Sequence, residues 1–152
     1  MPESTFIFDD KEVQKKLKLM KSRLGSLQPA NEIIGEIVHS SILRNFEEGG
    51  RPEGWPDLAD STKKQREKEG SWPGQILVRN GARNGLMGAV SYDALPDAVV
   101  FIGNKEYSAI QHFGGKAGRG RKTTIPARKY MMVQDEDWDE IMDALNHYIF
   151  EV

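Results

Sequence analysis

Apolar residues recur at helical spacing near the two ends of this chain and in no long run between them. Val13, Leu17, Met20 and Leu24 form one such series. Ile34, Ile37, Val38, Ile42 and Phe46 form a second, and Trp138, Ile141, Met142, Leu145, Tyr148 and Ile149 a third. A stripe with this period is one face of a helix, and that face needs cover from another element. The pattern predicts three long helices, over about 9–24, 29 or 30 to 47, and 135–150. Their ends carry the expected punctuation. Asp9 and Asp10, and later Asp135, Glu136 and Asp137, put negative charge where a helix N-terminus favours it. Pro29 suits a first turn, and Gly25 and Gly49-Gly50 suit stops. His39 lies on the second helix and reads as structural or exposed.

The middle reads differently. Residues 89–95 and 98–103 flank Pro96-Asp97, and Val99-Val100-Phe101-Ile102 is strongly β-prone, which predicts an antiparallel hairpin. A further strand is expected over 129–133. Short helices are expected over 62–69, 80–87 and 107–113. The first has a capping-box pattern at Thr62–Gln65, with Asp60 or Ser61 as other caps. It has almost no apolar stripe and should be peripheral and mobile. Residues 49–60 and 114–124 are rich in Gly with Pro or basic residues and read as protruding, flexible loops. Trp55 and Leu58 should anchor the first loop, the Trp contributing about 2–3 kcal/mol on burial. Tyr107, His112 and Phe113 should pack the helix before the second loop, with Trp55 and Phe113 as core. The whole is an α+β fold: long amphipathic helices on a small antiparallel β-sheet, with long exposed loops, in a single domain spanning 1–152.

At 152 residues the chain can bury roughly 68–70% of its unfolded surface and needs no staple. Twenty-one Lys and Arg stand against 23 Asp and Glu, so bulk electrostatic binding of nucleic acid or membrane is not expected. There is no cysteine, which excludes disulfides, thiolate catalysis and Cys-ligated metal. The Phe6-Ile7-Phe8 patch is short and acid-flanked for a signal peptide, and no apolar run approaches the ~20 residues of a membrane span.

Tests for chemistry return little. Gly115 to Gly120 has phosphate-loop spacing, but Arg121 stands where the Lys belongs and no apolar strand precedes it. The histidines, His39, His112 and His147, fall in separate elements, and there is no G-x-S-x-G elbow. No catalytic residue, metal ligand or cofactor is expected. The clearest feature is charge. Lys116, Arg119, Arg121, Lys122, Arg128 and Lys129 are basic with no acid among them. Aromatic residues are absent between Lys116 and Lys129, which argues against base stacking. An acidic protein partner or neighbouring subunit is weighed above nucleic acid, with a small nucleic-acid-binding module on loop 114–124 as the alternative. Arg128 follows Pro126, whose rigid backbone would aim it at a partner.

One ordered set of residues carries a resemblance. It runs through Gly54-Trp55-Pro56-Asp57-Leu58, Thr62, Arg66, Gly70 and Ile76-Leu77-Val78-Arg79-Asn80-Gly81. It continues through Val99–Gly103, Tyr107-Ser108-Ala109-Ile110-Gln111-His112-Phe113-Gly114-Gly115 and Ile125-Pro126-Ala127-Arg128. The set resembles the phage virion morphogenesis family, the tail completion proteins of Mu-like and P2-like phages. The stretch Ala82-Arg83-Asn84-Gly85-Leu86 departs from the family pattern of an apolar residue and a Ser. The resemblance implies a non-enzymatic role at the head–tail junction or tail end, played by a homo-oligomeric ring touching other tail or neck proteins. It places the protein in the host cytoplasm during assembly and then in the virion, near DNA if the basic loop faces a ring lumen. Partner contact then falls to Arg119, Arg121, Lys122 and Arg128.

Overall fold

A computed structural model describes residues 11–79, 81 and 84–151. The strongest apolar stripe builds the centre. Helix α1 is Lys11–Leu24 and α2 is Gln28–Glu48, with Pro29 in its first turn and Gly49 closing it in the left-handed region. Val38, Ile42 and Phe46 of α2 are buried, and Ile34 and Ile37 pack beside them. They meet Leu86, Val90, Tyr130 and Ile141 to form the core. The sheet strands β1 (Val90–Ala94) and β2 (Val99–Gly103) pair antiparallel, with Val90 opposite Gly103 and Ala94 opposite Val99. This hairpin packs on one side of α2, and α5 (Asp135–Phe150) packs on another. Gly35 is what lets the hairpin approach: a Cβ there would fall on the Tyr92 ring. His39 sits on the same face, with Nε2 3.1 Å from the Val90 carbonyl.

Helix α5 occupies the expected 135–150, but only part of its stripe is covered. Ile141 is buried and Leu145 packs against the core, while Trp138 and Met142 remain 53% and 52% exposed. Its first turn is held by Asp137, whose carboxylate accepts from the Gln134 amide at 2.7 Å and whose amide donates to the Gln134 carbonyl at 3.1 Å. Helix α1 touches α5 but buries no residue. Arg23 ties it down by donating to the carbonyls of Tyr148 and Glu151 at 2.5 and 2.6 Å. The expected stripe therefore lies largely open, with Val13, Leu17 and Leu24 each more than half exposed. The proposed capping residues Asp9 and Asp10 lie outside the described residues.

Between the long helices the structure corrects several expectations. Helix α3 is Asp60–Lys68, capped at Ala59 with no side-chain cap bond, so neither Thr62 nor Asp60 nor Ser61 plays that part. It is not merely peripheral, because Arg66 is 2% exposed. The helix expected over 80–87 reduces to a 3₁₀ turn at Met87–Ala89; residues 80, 82 and 83 lie outside the described residues. Helix α4 is Ser108–Phe113, and the expected exposed loop after it is a second hairpin. There β3 (Gly115–Ala117) pairs with β4 (Thr123–Ile125) across a turn at Arg119–Arg121. The two hairpins form separate two-stranded sheets, so the α+β class holds while the sheet has a different composition.

No strand forms over 129–133. The backbone there is served by side chains instead of a ladder. Asn45 Nδ2 donates to the Tyr130 carbonyl at 2.8 Å, and Trp55 Nε1 donates to that of Lys129 at 3.3 Å. The Met131 amide donates to His112 Nδ1 at 3.4 Å, and the Arg128 amide to the Gln111 carbonyl at 2.9 Å. Buried backbone groups need partners, and side-chain partners remove the need for a neighbouring strand.

Candidate partner-contact site

The residues singled out in sequence fall into two groups, one that ties the fold together and one that faces outward. The segment after α2 belongs to the first. Trp55 is half-buried and meets Phe46 edge to face at 5.8 Å. Its amide donates to the Gly49 carbonyl at 2.7 Å. Leu58 is half-buried against a cleft described below. Asp57 is gripped by Lys63 at 2.5 Å, and that hydrogen bond, with one from the Leu58 amide, lowers its carboxyl pKa.

Arg128 completes this arrangement from across the chain. It is 4% exposed, which is not the outward position its sequence suggested. Its Nε donates to the Pro56 carbonyl and its Nη2 to the Asp57 carbonyl, each at 2.8 Å. Pro126 does hold the backbone for a directed contact, but the contact is internal. Burial lowers the guanidinium pKa, and the Asp57 charge opposes that shift.

The helix before the basic hairpin is divided. His112 is half-buried, with its ring 5.3 Å from Tyr130 and 4.7 Å from Phe113. Its Nδ1 accepts from the Met131 amide, so the ring is neutral with its proton on Nε2. Desolvation, then the Lys129 charge, push its pKa down. Tyr107 is 45% exposed and Phe113 is 74% exposed. Phe113 is therefore not core: it stands at the end of α4, where Gly114 turns the chain away at φ 72°. Only His112 of the three packs as an anchor.

Arg119, Arg121 and Lys122 are exposed at the tip of the second hairpin. The turn needs left-handed backbone: Gly118 and Gly120 have φ 77° and 69°, and Arg121 itself sits at 52°. A non-glycine residue there is uncommon, so the tip holds Arg121 in a specific outward pose. None of the three cations has a side-chain partner among the described residues. On α5, Asp139, Glu140 and Asp143 are exposed and likewise unpaired, beside the open Trp138 and Met142. The hairpin tip is thus a cationic surface and this face of α5 an acidic, partly apolar one.

Sequence reasoning missed Arg66. Its guanidinium donates to the carbonyls of Gln75, Ile76 and Val78, and its central carbon lies 5.3 Å from the Trp72 ring. A charged helix with one buried arginine leaves no periodic signal; its place in the ordered set of family-like residues was the available cue. Arg66, Arg128, Leu58 and Tyr107 all line a cleft of about 600 Å³ between α3, α4 and β4.

His39, His112 and His147 stay apart, each engaged locally. Among the described residues no three His, Cys, Asp or Glu side chains gather in a way that holds a metal. No described helix is long and apolar enough to cross a membrane.

In this α+β unit the ordered motif residues Trp55, His112 and Arg128 brace the chain, and the unpaired charges of the hairpin tip and α5 face outward. The chain belongs to the phage virion morphogenesis family, which it matches over residues 8–149. It is 30% identical over 137 residues to Mu-like prophage FluMu G protein 2 of Haemophilus influenzae (strain ATCC 51907 / DSM 11121 / KW20 / Rd), a match covering 90% of this chain and 88% of that protein. No solved structure matches it. A role in building the phage particle follows from that membership.

Proposed function

We propose that the chain is a non-enzymatic structural subunit that completes the phage tail and joins it to the head. It acts by assembling into a ring of its own copies and by contacting other tail or neck proteins. Family membership over residues 8–149 carries this reading. The outward surfaces support it: a subunit that meets neighbours needs charge and apolar area with no internal partner. One domain performs the role, with the 114–124 hairpin as its protruding contact arm. The protein works in the host cytoplasm during assembly and then resides in the virion.

The test is electron microscopy of induced lysates with the gene deleted and then complemented. Filled heads beside separate tails place the protein at joining. Tails of abnormal length, or none, move it into tail building. Normal infectious particles refute the assembly reading and bring forward the small nucleic-acid-binding module.

The unpaired cations of the hairpin tip favour a second element, proximity to DNA in a ring lumen. Neutralising Arg119, Arg121 and Lys122 then lowers infectivity while particles still assemble. Unchanged titre removes this element, and failed assembly assigns the three residues to protein contact.

A further inference from the structure

The cleft between α3, α4 and β4 is built from residues that its internal bonds do not use up. Three arginines line it, Arg66, Arg79 and Arg128, and no acidic residue does. Two nearby carboxylates are already paired: Glu69 holds Arg79 at 2.7 Å, which commits that arginine, and Asp57 holds Lys63 at 2.5 Å. Arg66 and Arg128 are 2% and 4% exposed and have no carboxylate partner, only backbone carbonyls. Glu69 and Asp57 act on them only through space; buried charge without a direct ion pair is costly, and walls of low polarity concentrate its field.

Donors and acceptors also remain. Arg128 uses Nε and Nη2 internally, and its Nη1 makes no hydrogen bond. Arg66 Nε and Gln111 Oε1 are buried with no partner. A turn of the Gln111 amide presents that oxygen to a guest. The lining mixes apolar Leu58, Leu77 and Ile125 with the hydroxyls of Thr62, Thr123 and Thr124, and a cleft of about 600 Å³ with such walls suits a peptide better than a small inorganic anion. Finally, β4 contributes to the cleft wall and, among the described residues, pairs only with β3, which leaves its second edge without a strand. An open edge accepts an extended peptide through main-chain hydrogen bonds, with side-chain pockets setting specificity.

We infer that this cleft is a receptor for an extended, acidic peptide segment of a partner protein, laid along β4. Its carboxylate meets Arg128 Nη1 in the field of Arg66, one of its amide N–H groups meets Gln111, and its apolar side chains meet Leu58 and Leu77. This site is separate from the basic hairpin tip and does not depend on where in the particle the protein sits.

A displayed random-peptide library, selected on the purified full chain, tests it. The expected result is enrichment of sequences that alternate apolar residues with Asp or Glu. A synthetic copy of a selected peptide should slow hydrogen exchange at the β4 amides that point away from β3. Thr124 is exposed on the cleft wall, so Thr124→Trp should block the peptide while leaving the melting temperature unchanged. Gln111→Met should weaken binding by about three- to tenfold. Failure to enrich any sequence, enrichment without acidic residues, or full binding by Thr124→Trp overturns the inference.

Discussion

Replacing Arg128 by Met separates a structural brace from a surface contact. The side chain makes two charge-assisted hydrogen bonds of 2.8 Å to the carbonyls of Pro56 and Asp57, 71 and 72 residues away in sequence. Bonds of this kind contribute about 1.5–3 kcal/mol each, so their gross loss is about 3–6 kcal/mol. Two effects reduce it. Removing a largely desolvated guanidinium relieves part of its burial cost. Pro56 and Asp57 are exposed residues, so water can serve their freed carbonyls. Met keeps the stem packing, which limits any cavity. The expected net loss is about 2–3 kcal/mol, seen as a fall of about 5–10 °C in melting temperature for a domain of this size. Arg128→Lys should recover only part of it, since an ammonium cannot fork to two carbonyls. The assay is thermal and urea denaturation of the purified chain, with exchange of the Gly49–Leu58 amides followed in parallel. A variant with native stability and an unchanged 49–60 segment would refute the brace.

Three further outcomes follow from other parts of the structure. Gly35→Ala should cost about 1–3 kcal/mol, because the added methyl displaces the Tyr92 ring and with it the β1–β2 hairpin from α2; the urea midpoint reports it. Neutralising Arg119, Arg121 and Lys122 together should change stability by less than about 0.5 kcal/mol, since none has an internal partner, so any loss of titre reads as lost contact. His112 has its pKa lowered by burial and then by Lys129, so the unfolded chain binds the proton more readily. Its contribution is full above the unfolded value of about 6.5 and is lost as pH falls through the lower folded value. Denaturation midpoints should decline over that interval, and His112→Gln should flatten the decline.

The long helices and first hairpin were legible because their signals are periodic and local. The helix expected over 135–150 is observed there, and the strand expected over 98–103 is observed at Val99–Gly103, since a stripe or a β-branched run defines itself within a few turns or pairs. The 129–133 segment was misread for the converse reason. Tyr130, Met131 and Val133 look like a strand, but strand formation needs a free neighbouring edge, and here Asn45, Trp55 and His112 reach the backbone first. Those three come from elements up to 85 residues away, and nothing in the local sequence announces them. The second hairpin was hidden in the opposite way. It has little apolar content, and its turn rests on Gly118 and Gly120 in the left-handed region, a geometry that glycine-rich sequence permits without specifying.

The candidate site shows the same division, with a consequence for how ordered motifs are read. Trp55, His112 and Arg128 stood out as unusual residues in ordered blocks, and each closes a long-range bond within the chain. Phe113 lies in the same block as His112 and points the other way, 74% exposed. Unusual residue type therefore marks where a fold without a large sheet is braced, and it does so whether or not a partner is present. Residues that serve a partner carry a different mark, a polar or apolar group that the chain itself leaves unmet. Arg119, Arg121 and Lys122 qualify on charge, Phe113 and Trp138 on exposed apolar area, and Arg128 Nη1 on a donor left over from its brace. Arg128 meets both criteria with different atoms. A single guanidinium can brace the 49–60 segment and still offer a hydrogen bond to a guest, because its fork presents more donors than two carbonyls consume.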